Sequence, residues 1–263
     1  MTTVLKLGGE LLEDAAAMQA MAVAIRTLAS SRQVVVVHGG GRAIDAELRA
    51  RGLEPKFVDG LRITDAAALE TVVSVLAGTN TAFVGALYAA GVRAVGLTGA
   101  DGGVGLSKLA ERLTTAGGEQ VDLGLVGAPA GGPAALLQDL AGLGYVPVIA
   151  SIGVTPDGSL LNVNADTMAG HLAGAIGARR LIIAGGTAGV LDATGTTIPS
   201  LTIESVSAMI ASGTAHSGMV AKLVACRGAI AAGVPEVAIV SGRGVSDFDS
   251  AAGTRVLRSE VSA

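Results

Sequence analysis

Three kinds of polar residue stand in unexpected places in this chain, whose side chains are only 15% charged and 50% hydrophobic. Lys6 lies inside the apolar run TVLKLGG (3–9). An ammonium buried there without a partner would cost several kcal/mol, so it is expected to point out of the strand end, toward an anion or a carboxylate. Asn162, Asn164 and Asp166 alternate in LNVNADTMAG (161–170), just ahead of an apolar stretch. They mimic the first, third and fifth positions of a calcium loop. That reading fails because Thr167 replaces the loop's glycine and Ala173 its final glutamate. A helix cap by Asn164 or Asp166 is physically sound, but it accounts for one polar residue of the three.

Two further cations have a chemical and a plain reading. Arg62, in GLRITD (60–65), stands ahead of a long helix that Thr64 or Asp65 would cap. Its guanidinium fork suits a carboxylate or phosphate, or equally a surface ion pair. Lys222, in GMVAKL (218–223), is placed early in a helix, where its charge opposes the dipole. The turns KLGG and HGGG each follow an apolar strand and precede a helix, where backbone N–H groups and the helix N-terminus can hold an anion. Glycine in such turns also simply permits tight strand–helix connections. Neither GxxxxGK[ST] nor GxGxxG occurs. His38, His171 and His216 lie far apart in the chain without metal-ligand spacing, no GxSxG elbow is present, and no metal-ligating set is expected.

The elements that must position these groups follow from periodicity. Strand candidates are 3–9, 34–37, 92–97, 145–150, 180–185 and 236–241. Helical patterns fall at 14–31, 43–50, 66–90, 133–143, 165–177, 203–211 and 219–232. Strand–helix alternation with near-continuous apolar strands predicts an α/β protein with a mostly parallel sheet covered on both faces. Residues 105–127 and 151–163 break the rhythm and read as hairpins.

The chain, 263 residues long, can bury a sizeable core as one large domain or two joined lobes, with a soft boundary at 164/165. Net charge −4 gives no reason to expect nucleic acid or an anionic membrane as partner. The single Cys226 excludes an intramolecular disulfide framework and is expected to pack in the core. The uncharged stretch Leu140–Pro156 is broken by Pro147 and three glycines, so no membrane span is expected there. Acids near the start argue against a signal peptide, and a cytoplasmic setting is expected.

In order, KLGG, HGGG, GLRITD, VNADT and GMVAKL resemble the amino-acid kinase family. The stretches EPKFVDGLRITDAAALE and GYVPVIASIGVTPDG and a GTR near the end extend the likeness over nearly the whole chain. The GLRIT element is similar to that of the branch acting on N-acetylglutamate. The resemblance implies an open αβα sandwich with an N-terminal lobe (1–164) for the acyl-amino acid and a C-terminal lobe (165–263) for ATP. It implies transfer of the γ-phosphoryl group of ATP, with Mg²⁺ held mainly by the nucleotide phosphates, to the side-chain carboxylate of N-acetyl-L-glutamate.

By the same resemblance Lys6 and Lys222 stabilise the transferring phosphoryl group and Asp166 orients both lysines. Gly8, Gly9, Gly40 and Gly41 donate backbone N–H groups to phosphoryl oxygens. Arg62 and Asn162 hold the substrate's α-carboxylate, with Asn164 in support. The nucleotide falls to Gly8, Gly9, Gly185, Gly186, Thr187, Ala188, Gly189, Val190, Thr214, Ala215 and His216. Two departures lie on that side: Gly185-Gly186 stands where the family usually has a Ser/Thr-Asp pair, and Ser217 precedes GM where an acidic residue or glycine is usual. A start close to the first strand resembles the homodimeric, arginine-insensitive members. Three alternatives stay open: a kinase for carrier-linked aminoadipate, a non-catalytic metabolite-binding homologue, and a plain α/β protein with well-capped helices.

Overall fold

A computed structural model describes residues 1–114, 118–215 and 217–258. Its centre is an eight-stranded sheet among the described residues. In chain order the strands are β1 (Thr2–Leu7), β2 (Gln33–His38), β3 (Ala94–Thr98), β4 (Val146–Ala150), β5 (Arg180–Gly185), β6 (Ser200–Thr202), β7 (Glu236–Ser241) and β8 (Gly253–Leu257). They lie in the order β6-β8-β7-β5-β1-β2-β4-β3. Pairing is parallel from β7 across to β3, while β8 runs antiparallel to β7 and carries β6 with it. From β1 the chain proceeds to β2 on one side, and from β5 to β7 on the other. The crevice beyond the carboxyl ends of β1 and β5 is therefore a topological switch point, where open α/β sheets bind ligands.

Both faces of the sheet are covered. The helices are α1 (Ala15–Ala29), α2 (Gly41–Ala50), α3 (Ala66–Ala89), α4 (Ala135–Gly142), α5 (Ala165–Ala175), α6 (Ile203–Ala211) and α7 (Ser217–Ala231). Alternation along the strands divides the core: Val4, Val35 and Val37 pack with Leu172 of α5 and Leu223 and Cys226 of α7, while Leu5, Leu7 and Val36 pack with Ile25 of α1 and Phe83 and Leu87 of α3. The chain is an αβα sandwich, and the central sheet runs unbroken across residue 164. Lys6, two residues after Val4, has the parity of the α5–α7 face.

The uncharged run 71–92, most of it in α3, is longer than the Leu140–Pro156 stretch. Among the described residues α3 is the one helix long and apolar enough to cross a membrane by length and composition. Its inward stripe Val72, Leu76, Asn80, Phe83 and Leu87 packs on the sheet. Asn80 on that stripe donates to Val148 O at 2.9 Å and bonds His38 Nε2 at 3.0 Å, polar contacts that pin it to β4 and β2.

Residues 151–163 form the expected hairpin, Ile152–Val154 against Leu160–Val163. The 105–127 region supplies Ser107–Leu109, which pairs with Val126–Pro129, and a smaller hairpin of Leu113–Thr114 with Gln120–Val121. A further hairpin, Phe57–Val58 with Leu61–Arg62, turns through Asp59 (φ 46°) and Gly60 (φ 80°). Both central residues have φ > 0, the geometry of a tight primed turn. This hairpin sets Arg62 beside the sheet ends.

Candidate active site

Lys6 is the next-to-last residue of β1, and its side chain is only 8% exposed. Its Nζ lies 2.9 Å from Asp166 Oδ1. Asp166 belongs to the first turn of α5, which Asn164 caps: Asn164 Oδ1 accepts from Thr167 N at 3.0 Å. The two cap candidates are thereby separated. Asn164 starts the helix, and Asp166, 4% exposed, is left for the lysines at the positive end of the helix.

Lys222 approaches Asp166 Oδ2 to 3.7 Å from α7 and donates to Gly218 O at 3.3 Å. Close packing of α5 on α7 makes this possible. A Cβ added at Gly170 would stand 2.8 Å from Ala225 O, so only glycine admits the α7 backbone at this distance.

Lys6 and Asp166 line a cleft of about 240 Å³, small beside the roughly 300–1,000 Å³ of drug-sized pockets. Gly9, Gly40, Gly41, Arg62, Asn162 and Asn164 are on its wall. Gly40 is the N-cap of α2 and Gly41 its first residue, while Gly9 opens the short 3-10 helix Gly9–Leu11. Helix geometry leaves such N–H groups without intrahelical partners, so they can serve an anion. A Cβ at Gly9 would lie 2.8 Å from Gly40 Cα, so the two turns interlock. Gly8 differs: its N–H donates to Ala184 O at 2.9 Å, extending the β1–β5 ladder, and that corrects its assignment as a donor to phosphoryl oxygen.

Arg62 is held from three sides. Its Nη2 lies 2.6 Å from Asp45 Oδ1 and donates to Gly41 O at 3.3 Å, and the guanidinium stacks 4.6 Å from the Phe57 ring centroid. Nη1 is buried without a hydrogen-bond partner among the described residues. A planar fork fixed this way, with one nitrogen unengaged, is preorganised for a carboxylate. Asn162, on the hairpin strand opposite, donates from Nδ2 to Thr64 Oγ1 at 3.0 Å.

His38 is fully buried at the end of β2, with Nδ1 3.2 Å from Gly39 O and Nε2 facing Asn80. Burial pushes its pKa down to about 4, so the ring is neutral at pH 7 and braces the HGGG turn. Burial likewise raises the Cys226 thiol far above its usual range, as befits a core residue.

The expected nucleotide residues divide. Gly185 and Gly186 lie at the carboxyl end of β5, with Lys222 beside Gly185, and Thr187 and Ala188 are exposed. Gly189 is packed against Thr254 and Val190 is 1% exposed, its N–H donating to Thr254 Oγ1 at 2.8 Å. Ala215 also lies in the core. The side chains of Val190 and Ala215 therefore shape the loop from beneath. Thr214 is exposed, its Oγ1 2.7 Å from Ser212 Oγ, and His216 lies outside the described residues.

Sequence reasoning passed over Glu10, Asp45 and Phe57, which the fold brings to the cleft or its wall, and it offered Thr64 only as a helix cap, a place that Asp65 takes while Thr64 accepts from Asn162. Glu10, directly after the paired glycines of KLGG, was the legible one: an acid at the mouth of a proposed anion site is anomalous.

The model of the amino acid kinase family matches residues 1–241. The acetylglutamate kinases of Acidiphilium cryptum and Symbiobacterium thermophilum are each 42% identical to the chain over 92% of its length, and it covers 83% and 84% of theirs. Among solved structures, smu.665 from Streptococcus mutans superposes with a TM-score of 0.83 at 24% identity, covering 98% of this chain and 99% of that one. The N-acetylglutamate synthase from Neisseria gonorrhoeae complexed with coenzyme A and L-arginine has a TM-score of 0.84 at 20% identity, covering 98% of this chain and 61% of the other. These likenesses show the fold.

Proposed function

The chain belongs to the amino acid kinase family, and we propose that it transfers the γ-phosphoryl group of ATP to the side-chain carboxylate of N-acetyl-L-glutamate. The product is N-acetyl-L-glutamyl 5-phosphate, the second intermediate of arginine biosynthesis. The observation that carries this reading is the pair of lysines held by one carboxylate, with Lys6–Asp166 at 2.9 Å and Lys222–Asp166 at 3.7 Å, beside a cleft whose arginine keeps one donor unengaged.

The chemistry asks for this arrangement. A glutamate side chain, with an ordinary pKa of about 4.3, is ionised at neutral pH and needs no general base. The obstacle is repulsion between an anionic nucleophile and an anionic phosphate, so catalysis rests on positioning and charge stabilisation. In this mechanism Arg62 Nη1 takes the α-carboxylate of the acceptor, with Asn162 beside it. The N–H groups of Gly9, Gly40 and Gly41 face the transferring group. Lys6 and Lys222 meet its equatorial oxygens from the two sides of the switch point, while Asp166 keeps both ammoniums aimed.

Mg²⁺ supplies charge neutralisation between donor phosphates when bound. Asp166 already faces a lysine from each of its oxygens, a donor set that fits a cation carried in by the nucleotide rather than a cage in the protein. We place the acceptor in residues 1–164 and the nucleotide in 165–263, and the enzyme in the cytoplasm as a homodimer. The outward side of α3, where Tyr88 is 82% exposed, supports pairing between copies.

The test is ATP-dependent acyl-phosphate formation trapped with hydroxylamine, across N-acetylglutamate, free glutamate and a carrier-linked aminoadipate. Turnover with N-acetylglutamate is expected. Turnover with the aminoadipate alone moves the assignment to that substrate, and none with any acceptor overturns the enzyme reading.

A further inference from the structure

We infer that Glu10 is a positioning residue of the nucleotide side, one that holds the Gly185–Gly186 turn in place across the switch-point crevice; the inference rests on the phosphotransfer reading above. Gly186 N–H donates to Glu10 Oε1 at 2.8 Å, joining residues 176 apart in sequence. The carboxylate lies against three glycines, two of which leave it room that a side chain would take. A side chain at Gly8 would collide with it, a Cβ at Gly185 would lie 3.3 Å from Oε1, and one at Gly186 would lie 3.6 Å from it. Around the same seat, Lys222 Cε is 3.6 Å from the Gly185 Cβ position and Arg243 Nε and Nη2 are 3.5 Å from that of Gly186.

Paired glycines are the part of a turn with the most backbone freedom to lose. A nucleotide that orders them on binding bears that loss in its affinity. Glu10 removes it beforehand by fixing the Gly186 amide, reaching from the turn after β1 to the turn after β5. It does so without a direct ion pair to a described residue, so its attachment to this loop is the backbone hydrogen bond. The carboxylate also stands next to the stem of Lys222, and fixing the turn fixes the wall along which that side chain extends. The glycines on either side of the crevice and the acid between them act as one unit: glycine at 8, and more narrowly at 185, makes the room, Glu10 fills it, and the Gly186 amide holds it.

The test uses the whole protein and two variants, Glu10→Ala, which deletes the acceptor, and Glu10→Gln, which keeps an acceptor oxygen at nearly the same place. Calorimetric affinity for MgATP and MgADP is measured together with KM for both substrates and kcat. Loss of one hydrogen bond to a charged group predicts roughly tenfold weaker nucleotide binding in Glu10→Ala. The accompanying KM for ATP rises, kcat changes less, and the acceptor KM stays near that of the parent, while Glu10→Gln recovers most of the loss. A readout without nucleotide is exchange of the Gly186 amide by NMR, expected to be faster in Glu10→Ala and protected in Glu10→Gln.

Tighter nucleotide binding in Glu10→Ala would make the carboxylate an obstacle and overturn the proposal. Equal loss in both variants, reversed by high Mg²⁺, would make its charge a partner of the nucleotide's cation and also overturn it. Unaltered amide exchange with unaltered affinity rejects it outright. If the parent protein binds no nucleotide, the phosphotransfer reading fails, while the amide exchange still decides whether Glu10 fixes the turn.

Discussion

Replacing Asp166 by Asn removes the one anion that two lysines share and leaves the volume and the helix start nearly unchanged. With an effective dielectric constant of about 20, Coulomb's law gives roughly 6 kcal/mol of attraction for Lys6 at 2.9 Å and roughly 4.5 kcal/mol for Lys222 at 3.7 Å. Desolvation offsets most of each, more for Lys6, whose side chain is 8% exposed, than for Lys222 at 18%. What remains is the cost of stranding a buried charge, about 3–5 kcal/mol when one partner of a buried pair is deleted. An asparagine oxygen can still accept one bond, so the expected loss is at the lower end, about 3 kcal/mol, read as a fall in urea midpoint at unchanged m-value. Lys6→Met should cost less, because Asp166 keeps Lys222.

In the hydroxylamine assay both Asp166→Asn and Lys6→Met lower kcat by about a hundredfold or more, the scale of losing preorganised charge at a transition state. Lys222→Ala shows a similar loss of kcat with little change in stability. The reasoning is refuted if Asp166→Asn unfolds within 1 kcal/mol of the parent, or if Lys222→Ala turns over at a near-normal rate.

Three other outcomes follow from the same geometry. Arg62→Lys loses the unengaged Nη1 donor and the planar stack on Phe57, and should raise the acceptor KM roughly tenfold or more while leaving the KM for ATP near the parent value; equal rises in both would break the assignment. His38 has a folded pKa lowered from 6.5 to about 4, so its contribution is fully present above the unfolded value and is lost as pH falls toward 4. Linkage gives about 2 kcal/mol of lost stability between pH 7 and pH 5, and chemical denaturation of His38→Gln at the two pH values should show a smaller difference than the parent. Gly170→Ala forces a Cβ to 2.8 Å from Ala225 O, so it should destabilise by about 1–3 kcal/mol and lower kcat by displacing Lys222, whereas full stability with normal turnover would mean that the helices adjust freely.

Much of the fold was legible because the elements are strongly patterned. Strands 180–185 and 236–241 and helix 203–211 coincide with their apolar runs. The Phe57–Arg62 hairpin was missed although Asp59-Gly60 is a tight-turn dipeptide, because each of its strands has two residues, too few for a period-2 signal. β6 and β8 escaped for a related reason: both are short, and their place depends on pairing, β8 antiparallel with β7 and the edge strand β6 with β8. Lys6 and Asp166 were legible as anomalies, a charge inside an apolar strand and an acid at a helix start. Asp45 was not, since an acid within an amphipathic helix has no pattern to violate. Only the hairpin that swings Arg62 over α2 gives it a role.

The sheet order also explains why residues 6, 166 and 222 can act on one group. β1 is flanked by β5 and β2, so Lys6 projects from the middle of the sheet at the switch point. The turn after β2 builds one wall with Gly40 and Gly41, and the turn after β5 builds the other with Gly185 and Gly186. α5 enters between them on the face that the parity of Lys6 selects, and the close approach of α7 at Gly170 completes the charge set. In the proposed reaction the acceptor stands on the β2 side and the donor on the β5 side, so the phosphoryl group crosses above β1, where Lys6 is. A one-residue shift of β1 would turn Lys6 to the α1–α3 face and away from Asp166. Val4, Leu5 and Leu7 are apolar and fully buried on either face, so what opposes the shift is the cost of driving the Lys6 ammonium, unpaired, among the apolar side chains of the α1–α3 face. The packing that stabilises the sheet therefore also fixes the position of the charge on which the proposed transfer depends.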